Sequence, residues 1–502
     1  MATDDPSIDR RDFVRTSVAS LAAFTARGSL TLPSSVTPRW TDADFRALAD
    51  TGVDVARDAA TRAAAADDYG HLTPGRTAGV ARPATPDEVQ RVVAFAAERR
   101  LPVTVRGTGH GQSGQSVAAD SLSLDVSRMR AVDQPDVDAS GGRSTVVCDA
   151  GATWRDVLAT CAPFGLRPPA MPLLLDLSVG GVVSAGGVGP DAPRFGMSAA
   201  NVHALEVVAG DGTRHWCSAT DDPARFDAVR GGIGRCGVIT RVRLALRRPR
   251  ERVRTFYLVY DAIEPWLADQ HRVVAEQRSE ALDAFCIAGV QGTRRTPAGR
   301  RPFATWTYGL HVSVEHDANA APTAEQALAG LAPSRVVYVE DDETSAFPTR
   351  FDGRFESMRR LGAFAQPHPI FESFLPTTAL PALLPRLLER LPLFLGDGQR
   401  VLPIARTRLP PGIAVPNGEF VCFAVLLTGV HPALVPDSLA AMRDVDAMCR
   451  DAGGTRYLSG WLGEMDGARW RAHLGEKYDA WVEAKRRFDP NGIFVSRLFP
   501  PG

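Results

Sequence analysis

The length and composition of the chain indicate a globular protein of several domains. It has 502 residues, of which 44% are hydrophobic and 23% charged, and these proportions exclude a disordered or fibrous protein. Its 57 basic and 58 acidic residues leave a net charge of −1, so no basic excess favours binding to nucleic acid.

The N-terminal segment, residues 1–30, has the features of a bacterial twin-arginine (Tat) export signal. Arg10 and Arg11 precede a weakly apolar stretch from Thr16 to Ala26, as in signals that export folded proteins. We therefore expect a periplasmic or extracellular protein. The alternative is an unstructured arm with a chance arginine pair on a cytoplasmic protein. No apolar run in the chain reaches the ~18 residues that a membrane-spanning helix requires.

Short strands and helices are predicted to alternate from about residue 75 to 250. Thr85 and Glu88 have the spacing of a capping box, with Pro86 at the first helical position. A second cap at Thr153 predicts another helix, and the pair Asp211-Gly212 predicts a hairpin. Strands are predicted at 102–105, 122–126, 145–148 and 238–246.

Longer strand-like runs follow from about residue 251 to 455. They lie at 303–314, 336–340 and 419–427, with proline-rich joints and a helix-like run at 380–391 between them. This pattern predicts an α+β module with an antiparallel sheet. Apolar residues at helical spacing then predict a helix over 467–488, which the turn after Asp489 ends.

Three glycine-rich segments, at 106–116, 179–189 and 230–238, are the candidate cofactor site. Each is predicted to lie beside a strand, and glycine lets backbone N–H groups approach a phosphate closely. The first lacks the GxGxxG spacing of a Rossmann fold, and the next strand follows too soon for its helix. Three such segments favour a phosphate-bearing cofactor that contacts several loops. The widely spaced cysteines predict no disulfide framework and no metal site.

Several motifs occur in a fixed order along about residues 75 to 500. They are Gly107-Thr108-Gly109-His110 with Gln115, Leu177-Ser178-Val179-Gly180-Gly181, Asn201-Val202, Gly231-Gly232-Ile233-Gly234, His368-Pro369, Phe374-Leu375-Pro376, Tyr457-Leu458 and Asp489-Pro490. Together they resemble the vanillyl-alcohol-oxidase superfamily, whose FAD-binding domain is of the PCMH type. Within that superfamily, the chain is most similar to cytokinin dehydrogenases.

The resemblance implies an α+β fold of two domains. Residues 40–250 would form the FAD-binding domain, and residues 251–455 an inserted substrate domain on an antiparallel sheet. Residues 456–502 would return to the FAD domain. The resemblance also implies one covalent bond from His110 to the flavin 8α-methyl group. The second, cysteinyl bond of some relatives is not expected, because its position holds Leu174. The implied cofactor-binding residues are Arg106, Gly107, Thr108, Gly109, His110, Gly111, Gln115, Ser116, Ser178, Val179, Gly180, Gly181, Ser184, Gly187, Gly234, Val238 and Ile239.

The residues that would contact the substrate depart from the family pattern. The aspartate that accepts a proton in cytokinin dehydrogenases is replaced by Leu173, and a substrate-domain glutamate aligns with Ala288. The candidate bases are therefore Asp176 and Glu372. The alternative for Asp176 is a loop carboxylate held by backbone N–H groups. The alternative for Glu372 is a solvated helix residue.

The leading functional hypothesis is an FAD-dependent oxidase or dehydrogenase. It would transfer hydride from a small amine related to cytokinins to the flavin, with oxygen or a quinone as the electron acceptor. One alternative is an alcohol or sugar oxidase of the same superfamily, which would use a tyrosine or an acidic residue as base, with Tyr308 as the candidate tyrosine. The others are a flavin-binding protein without a base and an NAD-dependent dehydrogenase. We expect no metal cofactor and no nucleic-acid partner.

Overall fold

The computed structural model describes residues 39–138, 143–297, 299–392, 397–407, 409–410 and 412–499. The predicted export signal at residues 1–30 lies outside these ranges. Helices alternate with strands in three sheets, so the predicted α+β class is confirmed. No helix in the described ranges combines the length and apolar character needed to cross a membrane.

The first sheet belongs to the N-terminal part of the fold and has the strand order β1-β2-β4-β3. Its strands are β1 (Val55–Ala56), β2 (Thr77–Ala81), β3 (Val103–Arg106) and β4 (Ser121–Asp125). Strand β4 runs parallel to β2 and β3, and β1 runs antiparallel to β2. The helices of this part are α1 (Asp42–Ala49), α2 (Ala59–Ala65) and α3 (Pro86–Arg99).

Helix α3 begins where the capping pattern predicts. The Thr85 hydroxyl accepts the Glu88 N–H at 3.2 Å, and Pro86 is the first helical residue. In a standard capping box the Glu88 carboxylate would accept the N–H of the N-cap residue, Thr85. Here it accepts the N–H of Ala84, the residue before the N-cap, at 2.8 Å. The buried apolar stripe of α3 packs on the first sheet.

The second sheet is antiparallel, with the strand order β5-β8-β6-β7. Its strands are β5 (Thr145–Asp149), β6 (Val202–Val208), β7 (Arg214–Ser218) and β8 (Val238–Ala245). The predicted hairpin around Asp211-Gly212 is confirmed as the β6–β7 connection. The helices here are α4 (Trp154–Cys161), α5 (Val179–Ala185), α6 (Ala192–Phe195) and α7 (Pro223–Val229).

The third sheet has eight antiparallel strands in the order β12-β9-β11-β10-β14-β15-β13-β16. The strands are β9 (Arg252–Tyr260), β10 (Ala281–Thr296), β11 (Gly299–His316), β12 (Arg335–Glu343), β13 (Phe371–Pro376), β14 (Asp397–Pro403), β15 (Phe420–Val425) and β16 (Thr455–Arg456). The helices are α8 (Ile263–Ala275), α9 (Ala324–Ala327), α10 (Asp352–Arg360), α11 (Leu380–Arg390) and α12 (Val435–Asp451). An apolar core joins α8, α11 and α12 to this sheet.

The C-terminal segment corrects one sequence prediction. The single helix expected over 467–488 is two helices, α13 (Gly467–Leu474) and α14 (Tyr478–Phe488). Gly475, with a φ of +54°, leaves the right-handed helical region and begins a 3-10 turn, Gly475–Lys477. After α14 the chain returns to the first sheet, where the Val103 N–H donates to the Ile493 carbonyl at 2.8 Å.

Candidate active site

One cavity brings together most of the residues that the sequence assigns to the cofactor. Arg106, Val179 and Val238 do not line it: Arg106 donates to the Asp67 carbonyl at 2.5 Å, and the two valines are fully buried. The predicted residues that line the cavity are Gly107, Thr108, Gly109, His110, Gly111, Gln115, Ser116, Ser178, Gly180, Gly181, Ser184, Gly187, Gly234 and Ile239.

The first glycine-rich segment is held in shape by two buried polar side chains. The Gln115 side-chain oxygen accepts the Ser113 N–H at 2.9 Å, and its amide nitrogen donates to the Leu458 carbonyl at 2.9 Å. The Asp68 carboxylate accepts the Gly114 N–H at 2.8 Å. Burial raises the pKa of Asp68 to about 6. These contacts fix the backbone that carries His110.

His110 lies in a stack of three rings. Its imidazole is 3.9 Å from the Tyr69 ring centroid, and the Tyr69 ring also stacks with His368 at 4.2 Å. Burial, with His368 nearby, lowers the pKa of His110 to about 3. The ring is therefore neutral at physiological pH and keeps a nitrogen lone pair that can form a covalent bond. Sequence reasoning missed Tyr69, because only a long-range contact links it to His110.

The second glycine-rich segment corrects another prediction. Residues 179–185 form helix α5 rather than a loop beside a strand. The close approach of this helix to the end of β5 explains the glycine at position 180, because an added Cβ there would lie 2.7 Å from the Ala150 Cβ. The third segment is tied to α5 by the Gly231 N–H, which donates to the Val183 carbonyl at 3.1 Å.

The cavity wall fits a flavin dinucleotide. The Ser116 hydroxyl and the Gln112 side-chain oxygen are buried and have no hydrogen-bond partner among the described residues. Both residues line the cavity, so a ligand with polar groups can satisfy them. Glycines on the wall allow close approach of a flat ring.

Glu372 lies in the same cavity, on β13, and is not a solvated helix residue. Its carboxylate accepts a hydrogen bond from the Ser459 hydroxyl. Burial raises the pKa of Glu372 to about 7, against the opposing effect of the Ser459 hydrogen bond. The neighbouring Tyr457 also lines the cavity, and its hydroxyl accepts the Gly187 N–H at 2.8 Å.

The other candidate base, Asp176, is outside the cavity lining. It pairs with Arg155 at 2.7 Å and with Arg359 at 2.5 Å. Its pKa is lowered, since these two arginines outweigh the effect of burial. The partners are side-chain cations rather than the backbone N–H groups of the alternative interpretation. Tyr308 also lies away from the cavity and packs on Trp266 in the core of the third sheet.

Comparison with known proteins agrees with this geometry. The model of the family "FAD binding domain" matches residues 77–218. The chain is 29% identical over 432 residues to the "Uncharacterized oxidoreductase ORF5 in fasciation locus" of Rhodococcoides fascians, covering 85% of this chain and 94% of that protein. It is 28% identical over 470 residues to cytokinin dehydrogenase 6 of Oryza sativa subsp. japonica, covering 86% and 88%. Cytokinin dehydrogenase 10 of the same plant is also 28% identical, covering 87% and 86%.

The family match and the similarity to the relatives both include residues that line the cavity. The FAD-binding match covers β2 to β7, which include the first two glycine-rich segments and His110. The relatives extend the similarity over the third sheet, which carries Glu372. The chain is an FAD-binding oxidoreductase with a PCMH-type FAD-binding domain, similar over most of its length to cytokinin dehydrogenases.

Proposed function

We propose that the protein oxidises a small amine related to cytokinins and that FAD is held by one covalent bond to His110. Glu372 is the general base. The observation that carries this proposal is the position of Glu372, a carboxyl group with a pKa of about 7 in the cavity of the FAD-binding segments. The names of the plant relatives support the substrate class.

FAD, when bound, supplies the hydride acceptor. The chain's own residues orient the substrate, exclude water and accept the proton. Apolar side chains, among them Leu173, Leu174 and Phe355, line the cavity and exclude water from it. The Glu372 carboxylate accepts the amine N–H proton, and the Ser459 hydroxyl fixes its orientation. Dioxygen or a quinone is the proposed electron acceptor.

The positions of the tyrosines do not support an alcohol or sugar oxidase with a tyrosine base. Tyr308, the tyrosine expected to act on an alcohol, lies outside the cavity lining. Tyr457 lines the cavity, but burial raises the pKa of its hydroxyl well above 10, so it is a poor proton acceptor at neutral pH. Glu372 is the group with a pKa suited to accept a proton there.

Anaerobic reduction of the bound flavin tests the reaction class. We expect N-alkylated aromatic amines to bleach the flavin absorbance, and simple alcohols and sugars to leave it unchanged. Glu372→Gln should slow bleaching by about 10²–10⁴-fold, the usual contribution of a general base. The matched control Asp176→Asn, outside the cavity, should stay within about threefold of the unmodified protein. Bleaching by alcohols alone, or an undiminished rate in Glu372→Gln, would contradict the proposal.

A further inference from the structure

Two arginines on the cavity wall have no part in the mechanism above. Arg354, on α10, and Arg400, on β14, line the same cavity as His110 and Glu372. Of the described Asp, Glu, Lys and Arg residues, only these two and Glu372 line that cavity. We propose that Arg354 and Arg400 bind an oxyanion of the substrate, a carboxylate or a phosphate. This inference rests on the proposed function and specifies the amine as an anionic one.

Arg400 faces the cavity from the same side of the sheet as Glu372. Ala424 on β15 is directly opposite Arg400 on β14 and directly opposite Glu372 on β13. Residues in such register point to one face of a sheet, and two strand spacings place the two backbones about 10 Å apart. The small Ala424 side chain lies between them. A substrate held at Glu372 can therefore extend along the sheet to Arg400.

Arg400 is only partly neutralised by its partner. One terminal nitrogen, Nη1, donates to the Asp283 carboxylate, and both side chains are buried. No other hydrogen bond of the Arg400 side chain is present among the described residues, and Arg400 belongs to the cavity wall. A guanidinium group has five N–H donors, so Arg400 can bind Asp283 and a second oxyanion together.

The guanidinium group of Arg354 also lies on the cavity wall, close to strand β14. Its Nη2 atom lies 3.7 Å from the position that a Cβ atom on Gly398 would occupy. Gly398 also lines the cavity and is two residues from Arg400 on β14. Within the described ranges the Arg354 side chain has no ion pair, whereas Arg359 and Arg360 on the same helix pair with Asp176 and Glu356.

The surroundings favour an anion over a neutral group. Asp283 offsets the charge of Arg400, and Arg354 has no ion pair among the described residues. Glu372, the acidic residue of the described wall, takes its hydrogen bond from Ser459 instead. Arg400 is buried, and its guanidinium carbon lies 5.8 Å from the Phe351 ring centroid. Low polarity there strengthens a charge-assisted hydrogen bond, whereas Arg354 is exposed and contributes mainly its charge. Two arginines present donors in the planar geometry that carboxylates and phosphates accept.

Binding of unreactive ligands tests the site without turnover. We would titrate the flavin-loaded protein with adenosine monophosphate against adenosine, and with benzoate against benzyl alcohol, following the flavin absorbance. At least one anion should bind about tenfold or more tightly than its neutral partner. The phosphate and carboxylate pairs show which oxyanion the site prefers.

Variants connect that preference to the two arginines. Arg354→Gln should abolish the preference, and so should Arg400→Gln combined with Asp283→Asn, which leaves no buried charge unpaired. Arg360→Gln is the matched control, since Arg360 is on the same helix, is 75% exposed and is absent from the cavity wall. It should keep the full preference. Equal affinities for all anionic and neutral partners, or an unchanged preference in Arg354→Gln, would overturn the inference.

Turnover separates this inference from the proposed function. An N6-alkyladenosine and its 5′-monophosphate should both bleach the flavin anaerobically, with a lower KM for the phosphate. Arg354→Gln should raise the KM of the monophosphate alone. If anions bind but no amine bleaches the flavin, the proposed function fails while the oxyanion site stands. If the neutral amine reacts but no anion preference exists, the oxyanion site fails and the proposed function stands.

Discussion

Glu372 shows how environment selects one of two candidate carboxylates. Asp176 and Glu372 look equivalent in the sequence, but Asp176 is paired with two arginines and Glu372 with a hydroxyl group. Arginine partners lower the pKa of Asp176, whereas burial raises that of Glu372 to about 7. The sequence could not separate them because the second arginine, Arg359, lies 183 residues from Asp176 along the chain.

The raised pKa of Glu372 predicts a pH dependence for amine oxidation. The base must be ionised to accept a proton, so the rate of flavin reduction should rise with pH and level off above about 7. Rapid mixing under anaerobic conditions from pH 5.5 to 9, with an amine that stays neutral over this range, measures the profile. Glu372→Gln should lose the inflection as well as the rate. The same inflection in that variant would assign it to another group.

The helices and strands could mostly be predicted from local sequence signals. The cap at Thr153 is present with both hydrogen bonds of a capping box, and the hairpin at Asp211 is where the turn residues indicate. The failure over 467–488 has a packing cause. Helices α13 and α14 place Trp470 and Trp481 in one apolar cluster, so the apolar spacing continues across the break at Gly475.

The turn after α14 carries a prediction about stability. The buried Asp489 carboxylate accepts the N–H groups of Ile493 at 3.0 Å and Phe494 at 2.9 Å, and also contacts the Lys485 ammonium group. Asp489→Ala should lower the free energy of unfolding by about 3–5 kcal/mol, because it removes the counter-charge of the partly buried Lys485 and leaves two N–H groups unpaired. Urea denaturation of the flavin-loaded protein measures the loss.

Asp479→Ala is the matched control for that substitution. Asp479 is also on α14 and pairs with Arg471, but its side chain is 84% exposed. Exposed pairs of this kind contribute about 0–1 kcal/mol, so the urea midpoint should move little. Equal shifts for the two variants would show that the Asp489 contacts do not hold the C-terminal segment on the first sheet.

At the scale of the whole molecule, the cavity is assembled from distant parts of the chain. Its wall includes the segment after β3, helix α5, the segment before β8, and strands β13 and β14. The glycine-rich segments could be predicted because each carries a local signal. Tyr69, Arg354 and Arg400 could not, because long-range sheet pairing and helix packing bring them to the cavity.

The covalent bond proposed at His110 should affect the whole molecule. Neutral His110 lies in the cavity wall, so we expect the protein precipitated in acid to keep its yellow colour and the added mass of FAD. His110→Ala should release the flavin into the supernatant. Its Tm should rise with added FAD, because reversible binding stabilises by mass action, whereas the Tm of the unmodified protein should not.

His203→Ala, on β6 and outside the cavity wall, should behave like the unmodified protein. Flavin that stays with acid-precipitated His110→Ala would assign the bond to another residue.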